Sequence, residues 1–119
     1  MLTQDLTRVD TAVKIYEVND CMIDLSLREV VYGFEAINPR KEVFDTLVYL
    51  IENRDHSVSI EEFRESLWGD SDASEFEIVH AVNRARRVIL DDEPHNIIRY
   101  DSASSSYRFL GDVIEMEII

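Results

Sequence analysis

The clearest pattern of hydrophobic and polar positions lies between residues 75 and 90. Its apolar residues recur at the i, i+4, i+7 and i+11 spacing of one helical face, and they are Ile78, Val82, Ala85 and Ile89. The opposite side carries polar residues three or four positions apart, namely Glu77, His80, Arg84 and Arg87. The stretch therefore predicts an amphipathic helix that buries its apolar face and presents a basic strip to solvent.

Short runs rich in Val, Ile and Tyr alternate with turn residues between residues 14 and 37. Four such runs cover residues 15–18, 21–24, 29–32 and 34–37, with Asn19-Asp20 and Gly33 between them. This alternation predicts a small antiparallel sheet of three or four strands joined by tight turns. Residues 1–12 lack the pattern and are expected to form a flexible lead-in.

A second helix is predicted to follow this sheet. Asn38 has the chemistry of an N-cap, and Pro39 suits the first helical position because its missing N–H has no partner there. An apolar stripe continues to about Asn53 and consists of Val43, Phe44, Leu47, Leu50 and Ile51. We expect this segment to be the central core helix.

A third, shorter helix is predicted between these two. Ser59 and Glu62 have the capping-box spacing, in which each side chain bonds the backbone N–H of the other residue. Gly69 fits the left-handed position just past a helix end. Val58 is a candidate for a very short strand. In the polar loop that follows, Ser74 or Asp72 can cap the basic helix.

The C-terminal part of the chain predicts a hairpin. The β-prone runs 97–100 and 107–110 flank a serine-rich segment, residues 101–106, which is expected to be a flexible tip. Residues 112–119 alternate weakly between apolar and polar positions. They are expected to be either a tail or an extra edge strand.

Composition limits the function classes. A chain of 119 residues can form one domain without disulfides, and Cys21 has no second cysteine to pair with. No apolar run approaches the roughly 18–20 residues of a membrane span, and no signal peptide is visible, so we expect a cytoplasmic protein. The histidines have no partner at a metal-ligand spacing, and three glycines form no phosphate loop. We therefore expect no metal, no cofactor and no enzymatic activity.

The formal net charge of −13 is unusual for a chain with a basic strip. Residues 1–74 carry sixteen acids against seven bases, whereas residues 75–110 carry six acids against five bases. Ten of the twelve bases are Arg, whose planar fork suits phosphate and guanine. The acidic charge is therefore concentrated outside the basic helix and the hairpin.

Three motifs carry a resemblance to a known family. Residues 59–69, SIEEFRESLWG, are similar to the run S-R-E-E-L-x-x-x-V-W-G, and residues 78–89 are similar to V-D-V-H-I-x-R-L-R-x-K-L. Residues 107–109, YRF, resemble the end of G-Y-R-F. These motifs belong to the winged helix-turn-helix domain of the OmpR/PhoB type, found in response regulators and in ToxR/CadC/HilA-like activators.

The resemblance implies an α+β fold over residues 13–111, a winged helix-turn-helix with an N-terminal antiparallel β-sheet, three helices and a C-terminal β-hairpin wing. The sequence departs from the family where Ser104-Ser105-Ser106 replace a Gly-x-Gly before Tyr107. A longer and looser wing turn is expected there, because glycine tolerates backbone conformations that serine disfavours.

The resemblance also implies a DNA-binding surface. The residues that it places toward the major groove or the flanking phosphates are His80, Ala81, Asn83, Arg84 and Arg87, with Arg84 matching a motif arginine. Arg99 and Arg108 lie on the wing, where strand alternation is expected to turn at least one of them away. Arg86 lies near the buried face, so packing or an internal salt bridge is as good an interpretation as contact. Trp68 is expected to be a core residue.

Two functions follow as hypotheses. The first is a DNA-binding transcriptional regulator whose partner is double-stranded DNA, with a homodimer and an RNA polymerase contact through loop 69–73 as further expectations. The alternative is an acidic winged-helix module that acts through protein–protein interaction, as a regulatory partner or a DNA mimic. The net charge motivates the alternative.

Overall fold

The computed structural model describes residues 13–69 and 73–118. The predicted lead-in, residues 1–12, lies outside them. The described chain forms two compact units, one that ends at Asn38 and is completed by residues from Asp112 onward, and one that spans Pro39–Gly111. The elements in chain order are β1 (Val13–Val18), β2 (Cys21–Asp24), β3 (Glu29–Tyr32), β4 (Glu35–Ile37), α1 (Lys41–Glu52), β5 (Val58–Ser59), α2 (Ile60–Phe63), a π-helical turn (Arg64–Trp68), α3 (Glu75–Val88), β6 (Ile98–Asp101), β7 (Ser106–Phe109) and β8 (Ile114–Ile118).

The first unit is an antiparallel sheet with the strand order β4-β3-β2-β1-β8. The predicted turn between β1 and β2 is confirmed, since Asn19 and Asp20 both have positive φ, as a two-residue hairpin turn requires. Tyr16 lies opposite Ile23, which lies opposite Val30, and this row of side chains is buried. Alternation along each strand thus separates a buried face from an exposed one.

The C-terminal tail forms the fifth strand of this sheet. Strand β8 pairs antiparallel with β1 from Val13 opposite Ile118 to Glu17 opposite Ile114. Its side chains are largely exposed, as is usual for a strand that lies at a sheet edge. Of the two expectations for residues 112–119, the structure therefore has the extra edge strand.

The second unit packs three helical segments around a small sheet with the order β5-β7-β6. Helices α1 and α3 pack against each other, and the apolar residues predicted for each are buried. The residues that fill the centre are Phe44, Leu47, Leu50, Ile51, Phe63, Ile78, Val82, Ala85, Ile98 and Phe109. Trp68 is only partly buried, so the expectation that it belongs to the core is wrong.

The predicted start of the central helix is wrong by two residues. Helix α1 begins at Lys41, and Arg40 is its N-cap, whose carbonyl accepts from the backbone N–H groups of Val43 and Phe44. The Asn38 side chain donates to the carbonyl oxygens of Leu27 and Arg28, at 3.3 and 3.0 Å. Because that amide is engaged with an earlier turn of the chain, it does not cap the helix.

The capping box predicted at α2 is only half formed. The Ser59 hydroxyl accepts from the Glu62 N–H at 3.1 Å, as predicted. The Glu62 carboxylate, however, accepts from the Tyr49 hydroxyl at 2.6 Å and lies 2.9 Å from Nε2 of His56. Glu62 therefore ties α2 to the end of α1 and the turn after it, and His56 also contacts Asp55 at 2.9 Å through Nδ1.

We expect the stabilising contribution of His56 to be greatest at acid pH. Hydrogen bonds to the carboxylates of Glu62 and Asp55 raise the pKa of the His56 imidazole above its ordinary value. The contribution is therefore complete below the unfolded pKa of about 6.5 and is lost as the pH rises through the higher folded pKa. The difference in Tm between the wild type and His56→Gln should shrink as the pH is raised from about 5.5 to about 8.5.

The control for this prediction is Glu62→Gln. In that background His56 has lost its partner with the largest effect on its pKa, so substituting His56 should change Tm with a much weaker dependence on pH. A difference that grows with pH in the wild-type background would contradict the prediction.

None of the helices in the described ranges is long and apolar enough to cross a membrane.

Candidate nucleic-acid interface

Helix α3 begins with a complete capping box. The Ser74 hydroxyl accepts from the Glu77 N–H at 3.1 Å, and the Glu77 carboxylate accepts from the Ser74 N–H at 3.0 Å. Of the two caps considered from the sequence, Ser74 is the one observed. The two reciprocal bonds fix the first turn of the helix. They also hold the Glu77 carboxylate at the helix N-terminus, although the sequence predicts Glu77 on the polar strip.

The polar face of α3 is open to solvent. Exposed positions include His80, Asn83, Arg84 and Arg87. Within the described part of the chain, neither Arg84 nor Arg87 has an ion pair or a side-chain hydrogen bond. Ala81 is only 4% exposed, so its predicted place on the outer surface is wrong. The helix turns it toward the buried side, next to Val82 and Ala85.

Arg86 joins the end of α3 to the first strand of the hairpin. Its side chain is 8% exposed, and Nε and Nη2 donate to the Ile98 carbonyl at 3.1 and 2.8 Å. Nη1 donates to Oδ1 of Asn83 at 3.0 Å, and the guanidinium carbon lies 5.4 Å from the centroid of the Tyr107 ring. Of the interpretations open from the sequence, packing with internal hydrogen bonds is the one observed.

The hairpin of β6 and β7 brings two arginines together. Arg99 lies directly opposite Arg108 and both are exposed, so they share one face, and the expectation that alternation would separate them is wrong. Arg108 donates to the carbonyl oxygens of Asp55 and Arg54, at 3.1 and 3.4 Å. These contacts tie the Arg108 guanidinium to the turn after α1.

The arrangement of three helices and two antiparallel sheets has clear structural neighbours. The DNA-binding domain of Escherichia coli CadC aligns with a TM-score of 0.71 and 15% identity, covering 84% of this chain and 94% of that one. The Thermotoga maritima OmpR/PhoB homologue DrrB aligns with a TM-score of 0.69 and 28% identity over 82% of this chain, which spans 44% of DrrB. The DNA-binding domain of Klebsiella pneumoniae RstA, in complex with the RstA box, gives 0.66 and 22%, covering 80% and 95%.

The chain has an OmpR/PhoB-type winged helix-turn-helix fold. No family model and no curated protein sequence matches it. The predicted fold class is confirmed. The β6–β7 hairpin lies where the sequence predicts the C-terminal hairpin of this fold.

The wing turn is short and closed by side chains. Residues 102–105 connect the strands, and the Asp101 carboxylate accepts from the Ala103 N–H and the Ser104 hydroxyl, both at 3.0 Å. The hydroxyls of Ser104 and Ser106 are 2.6 Å apart, and Ser105 has a φ of 49°. The expected longer, looser turn is therefore wrong. Ser105 adopts the left-handed conformation that glycine favours, and the neighbouring hydrogen bonds hold it there.

Acidic residues flank the C-terminal end of the strip. A groove beside Asn83 and Arg87 is also lined by Asp91, Asp92 and Glu93. The Asp91 carboxylate accepts from the backbone N–H groups of Ile97 and Ile98 at 3.1 and 2.9 Å, whereas Asp92 and Glu93 are exposed. Their charges oppose those of the arginines at this end of the surface.

One exposed residue of α3 has no counterpart in the sequence predictions, and one predicted contact loop lies largely outside the described residues. Phe76 is 76% exposed on α3 and was missed from the sequence, although it lies four residues before His80. The expected polymerase contact through loop 69–73 lies largely outside the described residues, which resume at Ala73. Before that gap, Gly69 has a φ of 76°, as its predicted position after a helix end requires.

Proposed function

We propose that this protein is a DNA-binding transcriptional regulator that inserts α3 into the major groove and lays the β6–β7 hairpin along the duplex as a wing. The observation that carries the proposal is the pair of exposed arginines, Arg84 and Arg87, which have no ion pair within the described residues. An arginine fork matches phosphate and guanine. The second helix of a helix-turn-helix is the one that enters the major groove, and α3 is the corresponding helix in this proposal. CadC and RstA are described as DNA-binding domains, which favours the same use of this fold.

The side chains have different roles in this proposal. Arg84 and Arg87 contact bases or the flanking phosphates, and the exposed His80 and Asn83 lie between them and the start of the helix. Because Asn83 Oδ1 already accepts from Arg86, the N–H groups of its amide are the part that remains for a base or phosphate oxygen. On the wing, Arg99 is better suited to a phosphate than Arg108, whose guanidinium already donates to two carbonyls.

The negative net charge of the chain weakens its attraction to DNA, so a further source of affinity is needed. The net charge of −13 repels a polyanion at long range, and Asp92 and Glu93 lie beside Arg87. Two protomers on adjacent half-sites would bring two basic surfaces to one duplex and raise the effective affinity without a new contact. We therefore include a homodimer on DNA in the proposal.

The proposal predicts binding that depends strongly on salt. If three to five phosphates are neutralised, the logarithm of the association constant should fall against the logarithm of salt concentration with a slope of roughly −3 to −4. The slope can be measured by fluorescence anisotropy with a labelled pool of random-sequence duplexes of about 30 base pairs. The titration is begun at low salt and repeated at increasing salt concentrations. The absence of binding to the pool at low salt would overturn the proposal.

The net charge favours a second candidate, an acidic winged helix that binds a basic protein partner or competes as a DNA mimic. This candidate predicts a complex that survives DNase treatment and weakens as salt is added, together with no affinity for duplex DNA. Affinity purification with and without DNase, followed by the same anisotropy titration on the purified chain, separates the two candidates.

A further inference from the structure

Phe76 has an unusual place on α3. It is the second residue of the helix after the Ser74 cap, and 76% of its side chain is exposed. A single exposed aromatic is common on protein surfaces and needs no explanation by itself. Here, however, the ring lies on the surface proposed to face DNA, in the first turn of the helix, and in helix-turn-helix proteins the N-terminal residues of the recognition helix contact base edges.

The ring of Phe76 is held by a neighbour on the same face. It stacks on the imidazole of His80, with ring centroids 5.8 Å apart and an interplanar angle of 19°. Residues 76, 80, 83 and 87 follow spacings of four, three and four, which align them along one side of a helix. Phe76 therefore lies in line with the exposed polar side chains, on the side away from Ile78 and Val82.

The surroundings of Phe76 indicate what it can contact. Within α3, no other large hydrophobic side chain is exposed. The acids Glu75 and Glu77 flank Phe76, with the Glu77 carboxylate bonded to the Ser74 N–H, and the strip from His80 to Arg87 is polar or cationic. A broad apolar partner surface would leave those cations without counter-charges. A small apolar group embedded among anionic and polar groups fits better. The major groove offers one in the C5-methyl of thymine, next to hydrogen-bonding base edges and phosphates.

We propose that Phe76 contacts the C5-methyl group of a thymine and makes this protein selective for a thymine at one position of its site. His80 acts as a positioning residue, because its imidazole packs against one face of the ring and limits the rotamers that Phe76 can adopt. The inference rests on the proposed function and adds the chemical group that the start of α3 selects.

The test uses duplexes that the full chain itself enriches from a randomised pool. Each thymine of an enriched duplex is then replaced in turn by deoxyuridine, which differs only by the absence of the C5-methyl. Burial of one methyl group corresponds to about a 4-fold change in affinity. We expect one such replacement to weaken wild-type binding by about this factor, and Phe76→Ala to bind the thymine and uracil duplexes equally.

Further variants separate a role in selectivity from a general loss of binding. Phe76→Leu keeps an apolar side chain and should retain part of the thymine preference, whereas Phe76→Ala abolishes it. His80→Ala should reduce the thymine-to-uracil ratio, and His80→Tyr, which restores a stacking ring, should recover it. A merely structural role for His80 would change overall affinity and leave that ratio unaltered.

The outcomes distinguish the two proposals. If no duplex is enriched and none binds at low salt, the proposed function fails. If a duplex is enriched but no uracil replacement weakens wild-type binding, the inference about Phe76 is overturned while the function stands. The inference is equally overturned if the wild type and Phe76→Ala lose the same factor on every replacement, because the methyl contact then belongs to another residue.

Discussion

Arg86→Met should lower the free energy of unfolding by about 2–4 kcal/mol, although it changes only one side chain near the end of α3. The substitution keeps an apolar stem but removes both hydrogen bonds to the Ile98 carbonyl and the one to Asn83. The Ile98 residue is fully buried, so the carbonyl loses partners that water does not readily replace. In a chain of this size the loss corresponds to a Tm lower by roughly 10 °C.

The matched control is Arg87→Met, one residue further along the same helix. Arg87 is exposed and has no ion pair within the described residues, so this change should alter the free energy of unfolding by no more than about 0.5 kcal/mol. Urea denaturation followed by far-UV circular dichroism gives both values. Equal midpoints for the two variants would show that the bonds from Arg86 to the hairpin contribute little.

The double substitution Arg84→Ala and Arg87→Ala should weaken duplex binding by roughly 30- to 100-fold at low salt. It should also make the salt slope less negative by about 2, because two phosphate-neutralising cations are removed. The fold should be unaffected, since both side chains are exposed and neither has an ion pair within the described residues. Anisotropy titrations at several salt concentrations measure both effects.

A second double variant controls for charge. Lys14→Ala with Arg40→Ala also changes the net charge from −13 to −15, but both residues lie outside α3 and the hairpin. If binding depends on the overall charge alone, the two double variants should weaken it equally. If α3 is the contact surface, the loss should be much larger for the pair on α3, and equal losses would remove α3 from the proposal.

The parts of the fold that the sequence predicted well are those specified by local signals. The apolar spacing of Ile78, Val82 and Ala85 indicates a helix because these residues lie only one or two helical turns from one another. The Asn19-Asp20 turn is similarly local, since two residues that tolerate positive φ are enough to close a hairpin. These signals do not depend on which distant segment packs against them.

The errors arise where a side chain had a choice of partners. The sequence places Asn38 at the start of the helix that follows it, but its amide donates to two carbonyl oxygens eleven and ten residues earlier. The capping-box spacing places the Glu62 side chain at its own helix start, but its carboxylate accepts from the Tyr49 hydroxyl and lies against Nε2 of His56. A cap motif in the sequence indicates only the nearby backbone groups that a side chain can bond. Hydrogen-bond partners from distant parts of the chain are brought close by the tertiary structure.

The errors at the candidate site have two further causes. The family motif places Ala81 toward DNA, but on the helix it lies between Ile78 and Ala85, on the buried side. Strand alternation considers Arg99 and Arg108 one strand at a time, but residues that face each other across an antiparallel pair share a side of the sheet. The register that decides this follows from the four-residue turn, which the Asp101 carboxylate closes by accepting from the Ala103 N–H and the Ser104 hydroxyl.

The pairing of β1 with β8 has a consequence for engineering this chain. Val13 lies opposite Ile118, so the two ends of the described chain leave the sheet at neighbouring positions, about 5 Å apart from strand to strand. A protein fused at Val13 or at Ile118 would therefore be tethered at the same corner of this sheet. A short linker between Val13 and Ile118 would close residues 13–118 into a ring, and the Gly33-Phe34 turn between β3 and β4 then offers an exposed place to open a circular permutant.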